Sequence, residues 1–195
     1  MTQRNKLILL VGEVAIPILG YFFWSWNLYF IFLFMFLDLL SYNVLFWFKY
    51  KKINAFRAVQ TTKIPFKQLA TLLILSGIIF VGYTYLFNKI QGTNFAQEMI
   101  NFFFYKDMGF SQGYILLPLI VVSAYMSYKT EFVLLGKFTQ LTVKQLNSEY
   151  VRNNLAGIVL LVVLGLLELL NISNSAVYFY VGMGIYTVYA FTRQK

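Results

Sequence analysis

The sequence predicts an all-α fold: a polytopic membrane helical bundle of six transmembrane helices with both termini cytoplasmic. Three observations predict it. Of the 195 residues, 59% are hydrophobic, 20% aromatic and only 12% charged, where soluble domains carry about a quarter charged. So small a soluble body cannot hide this much apolar surface. The apolar residues fall in continuous runs rather than alternating ones, which points to helices and not to barrel strands. The basic residues gather in alternate connections, as membrane topology requires.

Each element follows from this pattern. A helix crossing the hydrocarbon takes about 20 mostly apolar residues. Residues 7–23 form the first such run. Arg4 and Lys6 before it resemble the start of a signal peptide, but no small-x-small cleavage site follows and Glu13 interrupts the run. It therefore reads as a retained first span. The next runs are 28–48, 69–87, 114–135, 155–170 and 176–191. Trp24-Ser25-Trp26-Asn27 joins the first pair and Asn171-Ile172-Ser173-Asn174 the last. Both read as tight polar turns between antiparallel neighbours. Trp24 and Trp26 at one boundary, and Trp47 and Tyr50 at the other, form the interfacial aromatic belt. Residues 95–108 read as a short helix in the outer interface. Phe132, Leu135, Phe138, Leu141 and Leu146 recur among polar residues, as on a cytoplasmic extension of the fourth span or on an amphipathic helix against the inner leaflet.

Lys and Arg stay cytoplasmic. With the N-terminus inside, 14 of the 16 basic residues fall inside, and only Lys89 and Lys106 fall outside, beside Glu98 and Asp107. The formal charge of +9 is thus a topology signal. Lys49, Lys51, Lys52 and Arg57 form the candidate lipid-binding surface. Each basic side chain near an anionic leaflet contributes about 1 kcal/mol. The loop that carries them has no base-reading motif, so nucleic acid is not expected as a partner.

The composition also limits the chemistry. With no Cys and no His, disulfides, thiolate nucleophiles, axial histidines and Ser-His-Asp triads are excluded. No phosphate loop, CxxC, HExxH or GxSxG motif occurs. No cofactor is expected. An enzyme acting on lipid is the weakest alternative, since no nucleophile-base pair is visible.

Three acids lie within spans: Glu13, Asp38 and Glu168. Glu168 is two residues from an outer end and can reach water. A charged acid at the bilayer centre costs roughly 2.5 kcal/mol or more, so such residues face the bundle interior. Asp38 is central in the second span, and Glu13 lies at similar depth on the first, counted from their shared turn. No Lys or Arg is central in a span. Two carboxyls at one depth oppose each other's ionisation. Ser41 and Tyr42 follow Asp38 by three and four residues, on its own face, whereas Asn43 is rotated away. Glu13, Asp38, Ser41 and Tyr42 are therefore the candidate proton- or cation-binding residues. Pro17 and Pro118 can free backbone carbonyls within spans. Gly12, Gly20, Gly157, Gly165, Gly182 and Gly184 are candidate points of close helix approach.

The run Gly20-Tyr21-Phe22-Phe23-Trp24-Ser25-Trp26, the following acid at Asp38, residues 118–127 with 129–136, and the closing hairpin resemble an uncharacterised family of bacterial multi-pass membrane proteins. The resemblance implies a bacterial inner membrane and carries no function. The family pattern includes membrane histidines, which this chain lacks, so no metal or haem role comes with it.

The expected function is transport or channel-type handling of protons or cations at the intramembrane carboxylates. The alternative is a non-transporting accessory or assembly subunit of a larger membrane complex. Anionic inner-leaflet lipid is the expected partner, with other membrane subunits or a second copy left open. Cysteines placed singly at Ala58, Gln140 and Gln194 should label from the cytoplasmic side, and those at Thr93 and Ser173 from the opposite side. Cytoplasmic labelling at position 93 would overturn this topology.

Overall fold

The computed structural model describes residues 14–57, 66–92, 95–104, 112–172 and 174–193. These form helices, with no strand among the described residues. We number them α1 (described over Val14–Phe23), α2 (Leu28–Phe56), α3 (Phe66–Gln91), α4 (Phe95–Phe104), α5 (Gln112–Ser127), α6 (Lys137–Gln140), α7 (Val143–Leu169) and α8 (Ser175–Arg193). A single π-helical stretch, Tyr128–Val133, continues α5.

Both expected tight turns are present. Asn27 caps α2, its side chain accepting from the Phe30 amide at 2.7 Å, the usual satisfaction of an orphan helix-start donor. The amides of Trp24 and Trp26 both return to the Gly20 carbonyl. Trp26 packs flat over Gly20, where any Cβ would collide with its indole. At the other hairpin, Asn174 accepts from the Ala176 amide at 2.9 Å.

α2 is the axis of the molecule. It contacts α3, α4, α5, α6, α7 and α8. Nine consecutive residues, Leu28 to Phe36, are buried. A helix that is apolar all round must be covered all round. The most apolar stretch of α2 is 72% buried, against 28% for those of α3 and α7. The surrounding helices turn an apolar stripe outward instead. Ile115, Leu119, Val122 and Met126 of α5, and Leu155, Val159, Val162 and Leu166 of α7, are exposed at alternating four- and three-residue steps. Such continuous apolar stripes suit hydrocarbon rather than water.

Three helices are long and apolar enough to cross a membrane: α2, the Leu73–Ile90 part of α3, and α7. The expected six spans are thus corrected to three that meet this measure among the described residues. The reasons are local. α5 has 16 residues before the π-helical stretch begins. α8 has 19, but Tyr178, Tyr180, Tyr186 and Tyr189 lower its hydropathy. α1 is described for only ten residues.

Two boundaries also move. α2 runs to Phe56 rather than 48, because the lysines that end the apolar run are good helix formers and do not end the helix. α7 begins at Val143 rather than 155, on a capping box in which Thr142 and Gln145 satisfy each other's amides. The segment expected as an extension of the fourth span or as an inner-leaflet helix first continues α5 as the Tyr128–Val133 stretch. It breaks at Gly136, which takes a left-handed φ of 66°. Phe132 and Leu146 then fold inward onto Phe46, Tyr50 and Ile53 of α2, making a second small core.

The two ends of the bundle differ. At one, Lys89 pairs with Glu168 at 2.9 Å and Asn27 donates to Glu98 at 2.9 Å, beside the two tight turns. At the other lie Lys49, Lys51, Lys52 and Arg57 with α6. We refer to the second as the basic end.

Of the candidate close-approach glycines, Gly20, Gly157 and Gly182 have neighbours that a Cβ would meet, while Gly165 and Gly184 face open space. Gly12 lies outside the described residues. A Cβ on Gly157 would sit 3.0 Å from Ile79 and 3.1 Å from Leu39. Gly157→Val should therefore lower stability in detergent by about 1–3 kcal/mol, the overpacking range. Gly165→Ala should be neutral or stabilising by up to about 1 kcal/mol. Equal thermal unfolding midpoints for the two variants would contradict the α2–α3–α7 crossing at Gly157.

Candidate functional site

Asp38 is the eleventh residue of α2, which puts it about 15 Å along the helix at ~1.5 Å per residue. It is 6% exposed and faces the bundle interior. The hydroxyl of Tyr186, on α8, donates to its Oδ2 at 3.2 Å. The register is set by neighbouring contacts: Phe32, one and a half turns earlier, occupies the space over Gly182 of α8.

Tyr186, though not Asp38, also lines a small cavity of about 20 Å³, together with Tyr83, Gly157 and Tyr189. That is room for about one water, which needs roughly 10–15 Å³ of such space. Tyr83 closes its far side by donating to the Gly157 carbonyl at 3.2 Å.

The other expected site residues do not converge on Asp38. Glu13 lies outside the described residues. Ser41 donates to the main-chain carbonyl of Asp38 at 2.7 Å and borders a groove between α2 and α5. Tyr42 borders a different pocket of about 20 Å³, with Lys49, Glu149 and Asn153. Steps of three and four residues keep side chains on one side of a helix but fan them across tens of degrees. On a helix covered from every direction, that fan reaches three neighbours: α8 from Asp38, α5 from Ser41 and α7 from Tyr42.

A polar cluster that the sequence did not reveal lies one turn beyond. Asn43 donates to Asn154 Oδ1 at 2.9 Å, and Asn154 donates back to Asn43 Oδ1 at 3.2 Å. Asn43 also donates to Ser76 Oγ at 3.2 Å, and Asn154 to the Tyr150 carbonyl at 3.0 Å. Asn43 is 1% exposed and Asn154 0%. The Tyr150 hydroxyl points at Ser76 and Asn154 without closing a hydrogen bond within 3.5 Å. This cluster ties α2, α3 and α7 together. Asn43 and Ser76, polar residues inside two apolar runs, were its available signal. Asn154 was missed because the third run opens one residue later.

The candidate lipid-binding residues lie at the basic end. Lys49 Nζ sits 5.7 Å from the Phe132 ring, Lys51 Nζ 5.3 Å from Trp47 and Lys52 Nζ 5.2 Å from Phe138. Arg57 donates to the Leu141 carbonyl at 3.0 Å. These contacts hold the apolar stems against protein, while Lys51, Lys52 and Arg57 remain exposed.

Comparison of the chain with family models, curated proteins and solved structures returns no match.

The amide pair makes a quantitative test. Asn43→Leu and Asn154→Leu should each destabilise the protein in detergent, since each leaves a buried amide without its partner. A double-mutant cycle should give a coupling of about 0.5–2 kcal/mol, the range for interhelical polar contacts in membranes. Strict additivity would show that the two amides act independently.

Proposed function

We propose that the protein is a small multi-pass membrane protein of transport or channel type that handles protons or cations at intramembrane carboxylates, with Asp38 as the central group. The observation that carries this is the burial of Asp38 in the bundle interior against the Tyr186 hydroxyl. An acid there is costly, and in membrane helices such residues mark ion and proton paths. Its two states need different partners. The carboxylate accepts from Tyr186; the neutral acid turns one oxygen into a donor. The water-sized cavity that Tyr186 also lines offers that hydroxyl a second partner.

The space favours a proton over a hydrated metal ion. Hard cations take about six or more oxygen ligands. Ser41 and Tyr42 point elsewhere, and among the described residues no three acidic side chains gather. Glu13 remains the proposed second carboxyl.

In the same proposal the chain lies in a bacterial inner membrane, with both termini and the basic end on the cytoplasmic side. The sorting of Lys49, Lys51, Lys52 and Arg57 to one end, and of Glu98, Glu168 and the tight turns to the other, supports that orientation. Anionic lipid is the proposed partner of the basic end.

The second reading is a non-transporting accessory or assembly subunit. The burial of Asp38 and the broad outward apolar stripes favour it. In that case Asp38 and Tyr186 form a structural tie between α2 and α8.

Asp38→Asn keeps size and hydrogen bonding but cannot titrate. If Asp38 carries protons, this variant should fold and insert normally, yet lose pH-driven flux in proteoliposomes. If the residue is structural, Asp38→Asn should be silent and Asp38→Leu should cost about 0.5–2 kcal/mol. A wild-type protein that conducts no protons or cations would sink the transport reading and leave the accessory one.

A further inference from the structure

A groove of about 380 Å³ lies between α2 and α5, nearly twentyfold roomier than the cavity beside Tyr186. Its floor is Leu45, Ile120 and Ala124, all buried, and its walls are the exposed Val44, Phe48, Val121 and Tyr125. The hydroxyl of Ser41, on its border, is turned back onto its own helix. What remains is a trough for methylene groups, open sideways on the apolar face of the bundle.

Length and charge identify an occupant. On α2 the groove runs from Leu37 to Phe48, about 16 Å at ~1.5 Å per residue. That is about half of the ~30 Å hydrocarbon core, the depth of one leaflet. It ends at the basic end of the bundle. There the Phe48 and Tyr128 rings lie 6.2 Å apart and Tyr128 stacks on Phe132 at 5.7 Å. Lys49 Nζ stands over that same Phe132, and Lys129 follows Tyr128 exposed. Glu131, half-buried, is the acid on this stretch.

We infer that the α2–α5 groove is a binding site for an anionic phospholipid of the leaflet at the basic end, with one acyl chain in the trough and the phosphate beside Lys49 and Lys129. The inference rests on the membrane-spanning reading and not on the chemistry of Asp38. It makes the lipid contact of the basic end a defined site rather than a diffuse attraction. The aromatic rings at the mouth mark where the hydrocarbon stops, and the two lysines mark where the headgroup begins.

The test uses the full chain in mild detergent, with dioleoyl-phosphatidylglycerol or dioleoyl-phosphatidylcholine added and bound lipid counted by native mass spectrometry. The wild type should retain phosphatidylglycerol over phosphatidylcholine by roughly fivefold or more, the equivalent of about one lysine at ~1 kcal/mol. Filling the trough with Ala124→Leu or Val121→Trp should reduce retention of both lipids about tenfold, by displacing two or so buried methylenes. Lys49→Gln with Lys129→Gln should abolish the preference and keep the binding. Should Ala124→Leu fail to fold, Val121→Trp decides, because Val121 is an exposed wall residue whose enlargement leaves the core packing alone. Equal retention of the two lipids by the wild type would overturn the inference, as would unchanged binding in Val121→Trp. A dimer in the wild type that Val121→Trp dissociates would also overturn it, assigning the groove to a second copy of the chain.

Discussion

The structure depends on covering α2 from every side. Within a bilayer, lipid tails are as apolar as leucine, so burying α2 gains little from the hydrophobic effect. Its neighbours must be held by close packing and by hydrogen bonds whose alternative is an unsatisfied group in hydrocarbon. Both devices occur on the same few turns. Gly157 admits Leu39 and Ile79, Gly182 admits Phe32, and Tyr83 reaches the Gly157 carbonyl exposed by that absence of a side chain. Asn43 then joins α2 to α3 and α7, and Asp38 joins it to α8. Close approach makes these hydrogen bonds geometrically attainable, and they fix the register of the approach.

Beyond the apolar zone the same helix is covered by other means. α2 is 29 residues long, about 43 Å at ~1.5 Å per residue, so its last turns outrun the hydrocarbon. There the π-helical stretch, α6 and the start of α7 wrap it, with Phe132 and Leu146 as the buried contacts. Lys49 and Lys52 lie across the rings of Phe132 and Phe138. In the membrane-spanning reading water is the solvent around this small core, and there ordinary hydrophobic burial contributes. One helix is thus stabilised by two different mechanisms along its length, and the change falls where the lysines begin.

That division explains which parts of the fold and site were legible in the sequence. Hydropathy reports where the hydrocarbon ends, not where a helix ends. It located α2 and α3 but stopped α2 at 48 and started α7 at 155. The capping box at Thr142 and Gln145 carried the true start of α7 in plain view, outside the apolar run. The tight turns were legible because Asn27 and Asn174 act locally. The inward orientation of Asp38 was legible, since an acid in an apolar helix has few alternatives. Its partner was not: Tyr186 lies 148 residues away, and only tertiary register brings the two together. Counting Ser41 and Tyr42 with Asp38 assumed a helix with one interior face. α2 has interior faces all round, so residues three and four apart look at different neighbours. The same assumption set Asn43 aside, though its rotated face is the one that meets Asn154. The count of spans failed for a related reason. α5 and α8 are short or tyrosine-rich, and such helices fit a bundle whose central member is already covered.

The buried polar groups differ in what they can do besides hold helices together. Asn43 and Asn154 form a reciprocal amide pair, each donating to and accepting from the other. Such a pair is closed: neither member titrates, and any change breaks two bonds at once. Asp38 is different in kind. A carboxyl can offer a donor as well as acceptors, whereas each amide of the Asn pair is already committed in both directions. A water-sized space lies beside Tyr186, Tyr83 and Tyr189. An asparagine at position 38 would have tied α2 to α8 equally well at lower cost in hydrocarbon. What sets Asp38 apart from the amide pair is thus chemical type, since both groups join α2 to a neighbouring helix from a buried position.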